Sequence, residues 1–168
     1  MEKHSSKKEM EGIVAAYFAQ KYFAGKVCKV ISVQNENDSV DIEIDNLKAQ
    51  VVVAGMGKDF FWRMDQNGDH VKNGEQICLD KADPVSEIIS AVKNKLAKSY
   101  SDVEQLILLI GCWVTSDIFD GVHIDLVNIQ KQIGIVAQTK NCFKEIWVVE
   151  MSYKNGRIIQ LWPQHSGE

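Results

Sequence analysis

A chain of 168 residues with 45% apolar and 25% charged residues carries enough material for one packed core and needs no disulfide or metal staple. Its net charge of −4 argues against an extended phosphate-binding surface, although 19 Lys and Arg leave room for a local basic face. The four cysteines, Cys28, Cys78, Cys112 and Cys142, are far apart and form no CxxC pair, which argues against a zinc ribbon or a thioredoxin-like site and suits a reducing cytoplasm.

No apolar run approaches the roughly 18 residues that span a bilayer, and the N-terminal MEKHSSKKEMEG is charged and lacks a signal core. The expectation is one cytoplasmic domain over 1–168, with a short polar tail from about Pro163.

Ser6 and Glu9 have capping-box spacing, and Met10, Ile13, Val14, Tyr17 and Phe18 follow at helical intervals until Gly25. The acids at its start, Glu9 and Glu11, suit a helix N-terminus, with a place in a metal site as the alternative for Glu11. Lys26 to Val33 reads as a β-branched strand, and Gln34 to Asp38 as a turn. Val40, Ile42 and Ile44 alternate with Asp41, Glu43 and Asp45, the period-two pattern of a strand with one buried face. Ala49 to Ala54 is continuously apolar after Gln50, as a central strand covered on both sides would be. Asp65 to Gln76 places Asp65, Asn67 and Asp69 like the first ligands of a calcium loop. His70 stands where glycine is required and Gln76 where the closing Glu belongs, so a surface loop is the better reading.

Asp83-Pro84 opens a second helix, with Val85, Ile88, Ile89, Val92 and Leu96 on its apolar stripe and Lys93, Lys95 and Lys98 on other faces. Gln105 to Cys112 is a buried strand, and a helix between two buried strands makes a crossover, so those strands are parallel or mixed. A helix is expected from about Asp125 to Ala137. Phe143 to Met151 and Arg157 to Trp162 flank Asn155-Gly156, a hairpin signal.

The order of one helix, three strands, a helix and a strand, followed by a helix and a hairpin, resembles the restriction-endonuclease-like fold, the PD-(D/E)xK nuclease superfamily. The likeness covers most of the chain and lies in topology more than in signature residues. It implies an α/β protein with a mixed central sheet flanked by helices. In that superfamily an Asp near the second strand and an acid on the third bind a divalent metal, and a Lys two residues after the acid helps to activate water. Carried onto this chain, Asp41 takes the first position, with Asp38 as the alternative, and Gln50 takes the second. Glu11 would add a first-helix carboxylate. Val40 stands where the motif has Pro, and Val52 where it has the Lys; Lys48 lies on the same strand face as Gln50 and is the candidate substitute.

Three readings of the acids stay open: a solvated face of Asp41, Glu43 and Asp45, a degenerate site, or a working magnesium site of Glu11, Asp41 and Gln50 assisted by Lys48. The functional expectation is an accessory or binding module with an incomplete catalytic site and no cofactor; the alternative is a magnesium-dependent phosphodiesterase or nuclease. Partners would be nucleic acid, another protein or a second copy of the chain, with Phe60, Phe61, Trp62, Trp113, Phe119 and Trp162 as interface candidates beside their ordinary role in a core.

Overall fold

The computed structural model describes residues 3–33, 39–54, 84–113, 126–139, 142–151 and 157–163. The suggested calcium loop, Asp38, Cys78 and the aromatics Phe60, Phe61, Trp62 and Phe119 lie outside them. Among the described residues, three α-helices and six strands follow in the order α1 (Lys3–Tyr22), β1 (Val30–Ser32), β2 (Ile42–Ile44), β3 (Leu47–Ala54), α2 (Pro84–Leu96), β4 (Leu106–Trp113), α3 (Leu126–Thr139), β5 (Glu145–Met151) and β6 (Ile158–Trp162). No helix among the described residues is long and apolar enough to cross a membrane.

The six strands form one mixed sheet in sequential order. β1, β2 and β3 run as an antiparallel meander, β4 and β5 are parallel to β3, and β6 turns back antiparallel on β5. The parallel pairs are those whose connections contain α2 and α3, as crossovers require. β4 sits at the centre and is buried from Leu106 to Cys112, which explains its unbroken apolar run.

Alternation along β3 and β4 builds two cores. Ala49, Val51, Ile107 and Leu109 face α1, which contributes Val14, Ala15, Phe18 and Ala19. Ala54, Leu108, Ile110 and Cys112 face the other layer, where α2 contributes Ile88, Val92 and Leu96 and α3 contributes Ile129 and Ile133. Fully burying each large aliphatic chain contributes roughly 1.5–3 kcal/mol, so the two cores, rather than helix propensity, hold the layers together.

Helix α1 begins earlier than its Ser6 cap signal implies; of the expected stripe, Val14 and Phe18 are buried, Met10 and Tyr17 are half-buried and Ile13 is 40% exposed, and Glu11, Ala15 and Ala19 complete the buried face. Ala24 and Gly25 end it with positive φ, and the Gly25 N–H donates to the Gln20 carbonyl at 2.9 Å. Regular pairing in β1 starts only at Val30, four residues after its expected start at Lys26. Asp45 and Asn46 form the turn after β2 that their residue types suggest; Asp45 has φ 49°, and its Oδ1 accepts the Lys29 N–H at 2.7 Å. That removes one acid from the expected acidic strand face.

Candidate functional site

β2 pairs with β3 only from Ile42 opposite Ala49 to Ile44 opposite Leu47, whereas β3 continues along β4 to Ala54. Past Ala49, the side of β3 away from β4 therefore leaves its pairing with β2. The chain before β2 crosses this point and gives β3 a side chain in place of a strand. Asp41 donates its own N–H to the Ala49 carbonyl at 2.9 Å. Its Oδ2 then accepts the Val51 N–H, also at 2.9 Å. The Asp41 carbonyl accepts from Val33, which ties the same residue to β1.

Gln50 is the next residue of β3 and points to the α2 side. It is buried at 4% exposure, so both ends of its amide need partners. Its Nε2 donates to the Ser39 carbonyl, and its Oε1 accepts the Lys95 ammonium at 2.8 Å. The first bond fixes which way the amide faces, so oxygen rather than nitrogen is turned toward Lys95. Ser39 is itself held, because its Oγ accepts the Ser101 N–H just beyond α2.

Lys95 comes from the last turn of α2. Val92 and Leu96 on either side of it enter the core, and its four-carbon stem follows them down. Its ammonium ends 3.9 Å from Asp41 Oδ2, with 16% side-chain exposure for Lys95 and 27% for Asp41. Burial pushes this ammonium below the ordinary lysine range, against the stabilising pull of the Asp41 carboxylate; the nearby Lys98 and Lys7 act in the same direction as burial.

Glu11 arrives from the opposite layer. It is 8% exposed and lies on the α1 stripe that also buries Val14, Ala15 and Phe18. Burial raises its carboxyl above the ordinary Glu range, the Asp41 charge raises it further, and Lys7 and Lys95 partly offset both. Lys7, one turn earlier, pairs with it at 3.6 Å. Lys7, Glu11, Val51, Val52, Val53, Lys95 and Lys98 line a cleft of about 260 Å³ at this end of β3. Tyr100 follows α2 within electrostatic reach of Asp41, and its buried hydroxyl has no hydrogen-bond partner among the described residues.

Of the residues singled out in the sequence, Asp41 and Gln50 meet around one ammonium, and Glu11 joins them across the cleft. Lys48 is exposed at the start of β3, opposite Glu43 of β2. Val52 lines the cleft and packs against the α2–α3 core. The lysine in contact with Gln50 is Lys95, which reading the strand alone does not find. A helical signal for it exists: Lys95 stands seven residues after Ile88 and three after Val92, on the margin of an apolar stripe, where a charge calls for a partner. Comparison with family models, with curated proteins and with solved structures gives no match.

The donor set suits a small divalent cation in kind. Gln50 and Asp41 turn hard oxygen atoms to one point, and the Glu11 carboxylate is held near enough to Asp41 for their charges to oppose each other. A divalent cation between two such carboxylates relieves that repulsion. No group of three or more His, Cys, Asp or Glu side chains gathers at metal-holding distance among the described residues, so Gln50 is needed to complete the set.

Proposed function

We propose that this chain is a divalent-metal-dependent phosphodiester hydrolase of the restriction-endonuclease-like class, with Lys95 of α2 replacing the lysine missing from β3. The observation that carries the reading is the Lys95–Gln50–Asp41 contact, which puts a positive charge beside the two strand positions of the motif although Val52 interrupts it. The element order and the mixed sheet support it as well.

Asp41 and Gln50 would hold magnesium, with Glu11 as a further carboxylate. The bound cation supplies a polarised water and neutralises charge building on the phosphate. Asp41 is fixed for this work by the Val51 N–H, and Gln50 by the Ser39 carbonyl. Lys95 brings a charge that follows the phosphate as negative charge develops on its oxygens, in a half-buried cleft where it is screened less than in water. Lys7 and Lys98 at the rim favour an anionic substrate despite the net charge of −4.

The competing reading is a binding module on the same scaffold. Val52 favours it, and so does the satisfaction of Gln50 by Lys95 without any ligand. Incubating the protein with single- and double-stranded DNA and RNA in MgCl2 or MnCl2 decides between them. Cleavage that disappears with EDTA and in Asp41→Asn and Lys95→Ala proteins supports hydrolysis. Binding without cleavage, unchanged in those variants, supports the module.

A further inference from the structure

The Gln50–Asp41 oxygen pair is a cation site that the chain fills by itself. A magnesium ion binds oxygen at about 2.1 Å. Lys95 already stands 2.8 Å from Gln50 Oε1 and 3.9 Å from Asp41 Oδ2. Two cations that share one oxygen at those lengths are no more than about 5 Å apart, in a place with little water to screen them.

We infer that the Lys95 ammonium is an exchangeable resident cation: it holds the Gln50–Asp41 oxygens in the metal-free protein and moves into the cleft when a divalent ion takes them. The inference rests on the metal-site reading given above. Three features suit it. Gln50 is neutral, so it holds the ammonium by a hydrogen bond without a full ion pair. The Ser39 carbonyl anchors the amide from behind, so its oxygen stays in place when the occupant changes. Lys95 ends on a flexible stem in the last turn of α2, and the adjoining cleft, lined by Val51, Val52 and Val53, gives the stem room to move. Exchange would thus couple two events: metal entry and presentation of the lysine charge to the cleft.

If the ammonium holds the oxygens in about nine-tenths of the molecules, its removal raises the apparent metal affinity about tenfold. Titration calorimetry with MnCl2 and MgCl2 on the full chain, its Lys95→Met variant and its Lys98→Met variant measures this. The expected result is metal binding about tenfold tighter in Lys95→Met and within about threefold of the parent in Lys98→Met, which removes a cleft charge without touching Gln50. Equal affinity in all three, or an equal gain in both variants, overturns the exchange and leaves the metal site standing. No binding in any of them removes the metal-site reading as well. If Lys95→Met does not fold, nitrogen-15 NMR of the parent protein's lysine ammonium groups gives the same decision. The hydrogen-bonded Lys95 signal is expected to change on adding MgCl2, and an unchanged signal at metal saturation overturns the exchange.

Discussion

Lys95 shows how one charge on an apolar stripe acquires a role. Its carbon stem belongs to the α2 core, while its ammonium belongs to Gln50 and Asp41. Truncation to Ala is expected to lower any metal-dependent cleavage by about 10²-fold or more, the usual weight of a positioned charge or proton-transfer group, with folding checked by circular dichroism. Cys112 behaves in the opposite way. It is 1% exposed, and burial with the nearby Glu150 charge pushes its thiol from 9.0 up to about 11. The folded state keeps the proton that the unfolded chain releases. Its contribution to stability is therefore complete below pH 9.0 and is lost as pH rises through about 11. Denaturant titrations at rising pH should show that loss in the parent and a smaller one in Cys112→Ala. In the native state at about pH 8, iodoacetamide should leave Cys112 unmodified while it reacts after unfolding. The sequence shows Cys112 as a buried small hydrophobe because its whole strand is apolar. It places Lys95 at the margin of an apolar stripe but does not name its partners, because Gln50 and Asp41 lie far away along the chain and no spacing within α2 reports them.

Between elements, α1 comes close to β4 at Gly111. Gly111 lies in the central strand, and a methyl group there would run into Val14 Cγ2, with Met151 Cε close behind. Gly111→Ala is expected to destabilise the fold by about 1–3 kcal/mol through overpacking, and adding Val14→Ala should restore part of the loss, which a double-mutant cycle in urea would read. One residue along β5 from Val149, the strand partner of Gly111, Glu150 is buried and accepts both Nε and one terminal nitrogen of Arg157 at 2.8 Å. Arg157→Ala should cost about 1–3 kcal/mol, because it strands the carboxylate, and Glu150→Gln in the same chain should recover part of it. Legibility follows the same divisions. The bounds of α2, β4, α3 and the β5–β6 hairpin are close to those the apolar spacing predicts, because in each the pattern repeats over several turns or along a whole strand. β1 is less legible, since Lys26 to Val33 has strand-like residues throughout and only the short β2 partner determines how much of it pairs. Along α1 the apolar spacing is right at Val14 and Phe18 and wrong at Ile13, because two adjacent apolar residues cannot both face the sheet, and the alanines that let the helix approach it do not stand out in the sequence.

Across the whole molecule, the site exists because two layers that do not otherwise share a core meet at one strand end. Glu11 descends from the α1 side, Lys95 from the α2 side, and β3 supplies Gln50 between them. A ligand that bridges these groups should stabilise global folding and not only its own loop. If magnesium binds with a dissociation constant near 1 mM, 10 mM MgCl2 should add about 1.4 kcal/mol to unfolding free energy, and the gain should vanish in Asp41→Asn. A calorimetric melting temperature that does not move with MgCl2 or MnCl2 would count against the metal site. The order of helices and strands was legible, and so were Glu11, Asp41 and Gln50 as candidates, but Lys95 was not among them. Convergence of Glu11 and Lys95 depends on both crossing layers, and no local spacing reports it.

Asp41 also substitutes for a missing neighbour: where β2 no longer pairs with β3, its carboxylate takes the Val51 N–H. If the proposed metal site is real, position 41 answers to two selections that can be pulled apart. Asn keeps an oxygen for Val51 and gives up the charge, while Ala loses both. A lineage that abandons metal chemistry should drift from Asp to Asn at this position and stop there, held by the demands of folding alone.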